Sequence, residues 1–99
     1  MNNPPQNPLA VLAVLRETCS ILNGALQDKD DDKAHEAVSV LLMQAIQFLG
    51  MDSPVMAHLF PPMDVIKRRI DAMDLEGALG QTELFDRQIG EIMDLIKGA

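Results

Sequence analysis

The stretch KAHEAVSVLLMQAIQFLG, from Lys33 to Gly50, decides the fold of this chain. It is the longest segment without a helix breaker, and its apolar residues recur at helical rather than alternating spacing. One wide face of the predicted helix collects Ala34, Ala37, Val38, Leu41, Leu42, Ala45, Phe48 and Leu49. Val40 and Met43 lie on the opposite side, so the helix is apolar almost all round. A helix with apolar residues on nearly all sides is usually packed against several neighbouring elements.

Length and composition agree with a helical domain. The 99 residues suffice for one small core, and 47% of them are hydrophobic while only 3% are aromatic. A core of Leu, Ile, Val and Met packs well between helices and offers no stacking surface for bases or sugars. We therefore predict an all-α fold, a small bundle of about four to five helices. Residues 1–7 are expected to form an extended arm and residues 8–99 a single helical domain.

Capping residues place the first two helices. Asn7 followed by Pro8 is a typical helix start, and this helix can run to about Leu26. Its predicted buried seam consists of Leu12, Leu15, Cys19, Leu22 and Leu26. The linker DKDDDK, residues 28–33, supplies an aspartate cap for the central helix, and Gly50 is placed to end that helix.

Prolines and glycines predict a less regular second half. Pro54 should start a short helical piece that Phe60, Pro61 and Pro62 stop, giving a proline-broken segment near residues 51–62. A further helix should run from about Pro62 to Leu75. Gly77 and Gly80 indicate a turn, after which Thr82 can cap a last helix that contains Gly90.

The charge of the chain disfavours two classes of partner. The formal net charge is −7, whereas binding to DNA, RNA or an anionic membrane surface requires Lys and Arg. The longest uncharged stretch, Ala37 to Met51, is too short and too polar to span a bilayer. We therefore expect neither direct nucleic-acid binding nor membrane association.

Cysteine usage suggests a reducing compartment. Cys19 is the one cysteine of the chain, so no disulfide can form within it. No basic region precedes an apolar run at the N-terminus, and a signal peptide is not expected. These features favour a cytoplasmic protein.

The acidic linker only partly matches a calcium-binding loop. Asp28, Asp30 and Asp32 occupy the first three ligand positions of an EF-hand. The sixth position, which requires glycine, holds Lys33, and the twelfth, which requires glutamate, holds Ser39. We therefore expect this run to be solvated and to cap the central helix.

No constellation for catalysis is recognisable. His35 and Glu36 match the opening of the HExxH zinc motif, but Ser39 stands where the second histidine should be. His58 and Cys19 are dispersed along the chain, and Cys19 lies on an apolar seam, where a thiolate is costly. We therefore predict no catalytic, cofactor-binding or metal-binding residue, and a protein that is not an enzyme.

Methionines suggest where another protein could bind. The chain has seven, and methionine adapts its shape to varied partners. Several surround the proline-broken segment, and Val40 and Met43 add to the surplus of apolar surface. The predicted protein-interaction residues are Val40, Met43, Met51, Met56, Phe60 and Met63.

Two functions fit these observations. The first is a non-enzymatic helical protein–protein interaction module, a self-associating adaptor or a structural component of a larger assembly, whose partner is another protein or a second copy. The alternative is an acidic regulator or inhibitor that competes for a basic, nucleic-acid-binding site on a partner protein. Its interaction should weaken steeply with salt.

Overall fold

The computed structural model describes residues 7–98 and consists of four helices. They are α1 (Pro8–Gln27), α2 (Asp31–Leu49), α3 (Pro54–Asp71) and α4 (Leu75–Gly98). The predicted all-α bundle is confirmed. The expected arm, residues 1–7, lies outside the described residues except for Asn7.

The helices form an up-down-up-down bundle. Connections of three or four residues reverse the chain between neighbours, as is usual for antiparallel helices. α1 packs against α2 and α4, and α3 packs against the same two helices from the other side. A single core contains Leu15, Leu41, Ile66 and Phe85, one from each helix and all fully buried.

The first two helices follow the sequence prediction closely. The Asn7 side chain accepts a hydrogen bond from the Leu9 amide at 2.9 Å, and Pro8 begins α1. Every residue of the predicted seam is buried. Asp30 caps α2 by accepting from the Lys33 amide at 3.2 Å, and Gly50 ends it with a φ of 80°. Local capping interactions therefore determine where α2 begins and ends.

The predicted break at the prolines is wrong. α3 runs unbroken through Pro61 and Pro62, which lack the N–H groups that would bond to the carbonyls of Ala57 and His58. Ala57 and His58 are exposed, so solvent can reach these two carbonyls. The opposite side of α3 buries Met56, Leu59, Met63, Ile66 and Ile70. Packing of this stripe outweighs the local cost of the prolines.

Replacing Pro61 with alanine should therefore stabilise the fold. Interior proline costs a helix about 3 kcal/mol, and the greater freedom of the unfolded alanine chain offsets up to about 1 kcal/mol of this. We expect the free energy of unfolding to rise by about 2–3 kcal/mol. Urea denaturation monitored by circular dichroism measures it. An unchanged or lower midpoint would mean that the prolines terminate a helix in solution.

The predicted turn at Gly77 and Gly80 is also wrong, because α4 already begins at Leu75. Its cap is Asp74, whose carboxylate accepts from the Gly77 amide at 3.0 Å and from Arg69 Nη1 at 2.7 Å. A Cβ atom on Gly77 would collide with this carboxylate. Thr82 is buried inside α4 rather than at its start, and its hydroxyl donates to the Ala78 carbonyl at 2.8 Å.

Two glycines of α4 should consequently respond in opposite ways to alanine. No atom lies within 4 Å of a Cβ built on Gly80, so Gly80→Ala should stabilise by about 0.5–1 kcal/mol through helix propensity. Gly77→Ala should lower the free energy of unfolding below that of the wild type, since the new methyl group displaces the cap. Urea denaturation of the two variants and of the wild type measures both changes in the free energy of unfolding. Equal stabilisation by the two variants would argue against an Asp74 cap.

The third glycine of α4 accommodates a side chain from α1. Arg16 lies against Gly90, where a Cβ atom would stand 3.0 Å from the guanidinium. The Nε and Nη2 atoms of Arg16 each donate to the Asp86 carboxylate at 3.0 Å. Gly90 thus allows α1 and α4 to be joined by a two-bond ion pair.

Candidate interaction surface

The structure separates the six predicted interaction residues. Val40, Met43 and Met51 are exposed, and Phe60 is half-buried against the core. Met56 and Met63 are fully buried, so the proposed docking patch does not include them. Continuity of α3 is the reason, because it places these two methionines on the inward stripe of that helix rather than in an irregular segment.

An apolar surface does exist, on the outer side of α1 and α2. We call it the α1–α2 face and define it by four exposed side chains: Ile21, Val40, Met43 and Ile46. Ile21 is 67% exposed and Met43 63%. Ile21 and Val40 line the same groove, so side chains from both helices belong to one surface.

The groove of this face is open and has a volume of about 630 Å³. Gly24, Ala25 and Ala37 are among its lining residues, and no atom lies within 4 Å of a Cβ built on Gly24. Thr18 crosses from α1 to α2, where its hydroxyl donates to Gln44 Oε1 at 2.6 Å. Small side chains thus leave a depression between projecting apolar ones.

Charge is distributed unevenly over the bundle. α1 contains only Arg16 and Glu17, and α2 has no charged residue from Ala37 to its end. In contrast, α3 contains five Asp, Glu, Lys or Arg residues and α4 contains seven. Exposed apolar residues of those two helices, such as Leu84, therefore stand among charges. On the α1–α2 face the charged residues Asp28, Lys33 and Glu36 line one end of the groove, and the part of α2 that carries Met43 and Ile46 has none.

A second groove, of about 900 Å³, lies between α1 and α4 and is mainly polar. Arg16 and Asp86 pair within it, and Cys19 is among its lining residues although the cysteine is buried. Burial, with a smaller contribution from the charge of Asp86, raises the pKa of the Cys19 thiol to about 12. The thiol is therefore neutral at physiological pH, where a nucleophile would need to be a thiolate.

Modification of Cys19 should accordingly be slow in the folded protein. Its thiolate forms only as the pH approaches 12, so a thiol-specific disulfide reagent at pH 8 should react at the rate of transient unfolding. In denaturant the same reagent should react at once. Rapid labelling of the native protein at pH 8 would show that the thiol is accessible and activated.

The two histidines serve no common site. His35 Nε2 lies 3.2 Å from Asp71 Oδ1, and His35 Nδ1 lies 2.9 Å from the Asp31 carbonyl oxygen. Both partners are acceptors, so both hydrogen bonds form only when the imidazole is protonated. His58 is exposed on α3. Within residues 7–98, no three His, Cys, Asp or Glu side chains come together as a metal site.

By length and composition, α1 could cross a membrane. Helices buried in the core of soluble proteins meet the same criterion, and 44% of the relevant window is buried in the bundle. The opposite face of α1 carries the exposed Ile21. The high hydropathy of α1 thus has two sources, the apolar face in the core and the outward face that carries Ile21.

Comparison of the chain with protein-family models, with curated proteins and with solved structures gave no match. The function is therefore inferred from the geometry of this fold. Sequence reasoning found Val40 and Met43 but missed Ile21 and Ile46. One signal was available in the sequence: α1 and the second half of α2 contain few charged residues. Because the two helices are antiparallel neighbours, these two segments lie side by side.

Proposed function

We propose that this chain is a non-enzymatic helical protein-interaction module that binds another polypeptide through the α1–α2 face. The observation that supports the proposal is that Ile21 and Val40 line one groove, and that the exposed Met43 and Ile46 follow Val40 at three-residue steps along α2. Monomeric proteins rarely leave such groups of large apolar side chains uncovered.

The energy available from covering this face is substantial. Complete burial of one large aliphatic side chain stabilises by about 1.5–3 kcal/mol. The four side chains are already partly buried, so together they can contribute on the order of 5 kcal/mol. Association also loses translational and rotational freedom, which costs at least about 4 kcal/mol. The expected interaction is thus of moderate strength and depends on most of the face being covered.

A matched pair of surface variants tests the proposal. Met43→Asp places a charge in the face, whereas Leu95→Asp places one on α4, where the leucine is 75% exposed. Proteins captured by the tagged wild type from its source, including untagged copies of the chain, should be retained by Leu95→Asp and lost by Met43→Asp. Identical captured sets for the two variants, quantified by mass spectrometry, would refute the role of this face.

The acidic regulator is a second candidate, and the observation that favours it is the cluster of carboxylates where α1 meets α2. Asp28, Asp32 and Glu36 are exposed there. Asp32→Asn combined with Glu36→Gln leaves the Asp30 cap in place and removes two charges. Capture that is weakened by this pair and by added salt, but unaffected by Met43→Asp, would favour the regulator over the docking module.

A further inference from the structure

We infer that the α1–α2 face binds an amphipathic helix of another protein, about three turns long, whose apolar stripe is flanked by lysine or arginine side chains. The inference rests on the proposed function and names the chemistry of the partner. Two features of the groove support it: its shape and the carboxylates around it.

The groove has the form that a third helix needs. Ala25 and Ala37 line it although both are buried, so they form its floor, and the exposed Ile21 and Val40 stand beside them. Small residues on two neighbouring helices let a further helix approach closely, and its apolar side chains then contact the projecting ones. An extended peptide would need a strand edge, and the described residues contain only helices.

The length of the groove sets the length of the bound helix. Its lining residues on α1 extend from Thr18 to Asp28, which corresponds to about 15 Å along the helix axis. A helix that follows the groove over this distance makes about three turns. It would present apolar side chains at every third or fourth position, as amphipathic helices do.

Carboxylates at one end of the groove favour a cationic partner. Asp28 and Glu36 line the groove and are exposed, and neither forms an ion pair within residues 7–98. Lys33 is the one cation among the lining residues, and its Nζ atom lies 3.9 Å from the carboxylate of Asp30. An ammonium or guanidinium group on the incoming helix would therefore meet unpaired carboxylates beside apolar side chains.

Two further carboxylates lie one helical turn from lining residues. Glu17 precedes Ile21 by four positions on α1, and Asp32 precedes Glu36 by four positions on α2, so each shares a helix face with its neighbour. Both are exposed, and neither is ion-paired in the described part of the chain. With the two lining carboxylates and the one lysine they make five groups, four negative and one positive, with a net charge of −3.

Charge also ranks the occupants of the face. A second copy of the chain can cover the apolar side chains, but it brings the same carboxylates to the contact. A cationic helix covers the same side chains and brings charges of the opposite sign. Such a helix should therefore bind more tightly than a second copy and displace it.

Fluorescence anisotropy with three labelled peptides of about 16 residues tests the inference. The first peptide has leucines at helical spacing and lysines at both ends. The second replaces its lysines with glutamates, and the third replaces its leucines with serines. The first should bind the purified full chain at micromolar concentration, and the other two at least about tenfold more weakly.

Variants of the chain show where the first peptide binds. Asp28→Asn combined with Glu36→Gln should weaken its binding about three- to tenfold, because two ion pairs across the groove are lost. The control combines Glu83→Gln with Glu91→Gln, which removes the same charge from exposed positions of α4 and should leave the affinity within about twofold. Circular dichroism checks that both double variants are folded.

Two results would overturn the inference. One is a first peptide that binds no more tightly than either of the other two, and the other is an equal loss of affinity in the two double variants. Neither result bears on whether Met43→Asp loses captured proteins, so the proposed function would stand if that loss is observed. Capture unaffected by Met43→Asp would instead remove the proposed function itself.

Discussion

Replacing Phe85 with alanine should remove about 3–5 kcal/mol from the free energy of unfolding. Phe85 is fully buried on α4 and is the largest side chain in the core of the described residues. Its loss leaves a cavity that the four surrounding helices can close only in part. A domain of this size has a stability of about 5–10 kcal/mol, so the variant should lose about a third or more of its stability.

Urea denaturation of the wild type and of Phe85→Ala gives the difference directly. The control is Leu84→Ala, because Leu84 is the adjacent residue of the same helix and is exposed. We expect Leu84→Ala to change the free energy of unfolding by less than about 0.5 kcal/mol. A loss below about 1 kcal/mol for Phe85→Ala would contradict the packing described for α4.

Met43→Asp should weaken self-association at least about a hundredfold. The variant replaces an exposed apolar side chain with a charge on the α1–α2 face, and in a symmetric pair of copies the replacement counts twice. Burial of each methionine supplies about 1.5 kcal/mol or more, and a factor of ten in affinity corresponds to about 1.4 kcal/mol. Sedimentation equilibrium over a wide concentration range measures the dissociation constant.

Leu95→Asp is the matched control for this second prediction. It introduces the same charge on α4, away from the face, and should leave the dissociation constant within about twofold of the wild-type value. Both substituted positions are exposed, so both variants should keep the helical spectrum of the wild type. A dimer unaffected by Met43→Asp would place the contact elsewhere on the molecule.

Local chemistry explains why half of the fold was predictable. α1 and α2 have an asparagine or aspartate cap at the start and continuous helical periodicity, and both features act within a few residues. For α3 and α4 the local rules predicted helix breaks that the structure does not have. Pro61 and Pro62 lie on the outer side of α3, and Gly77 belongs to the Asp74 cap of α4, so breaker residues here do not break the helix.

A better signal was present in the spacing of α3. Met56, Leu59, Met63, Ile66 and Ile70 recur every three or four residues across the prolines, which is the pattern of one buried face. The same pattern shows that Met56 and Met63 cannot belong to a docking surface. Ile21 was missed for a different reason. Whether an apolar residue at the edge of a wide stripe is covered depends on where the neighbouring helices lie.

The most direct test of the α1–α2 face is oxidation of methionines by dilute peroxide as a function of protein concentration. Met43 and Met73 are 63% and 61% exposed, and Met73 lies outside the face. Mass spectrometry should find similar oxidation rates for both in dilute solution and selective protection of Met43 as concentration rises. Equal rates for the two methionines at every concentration, in a protein that sediments as a dimer, would contradict the account.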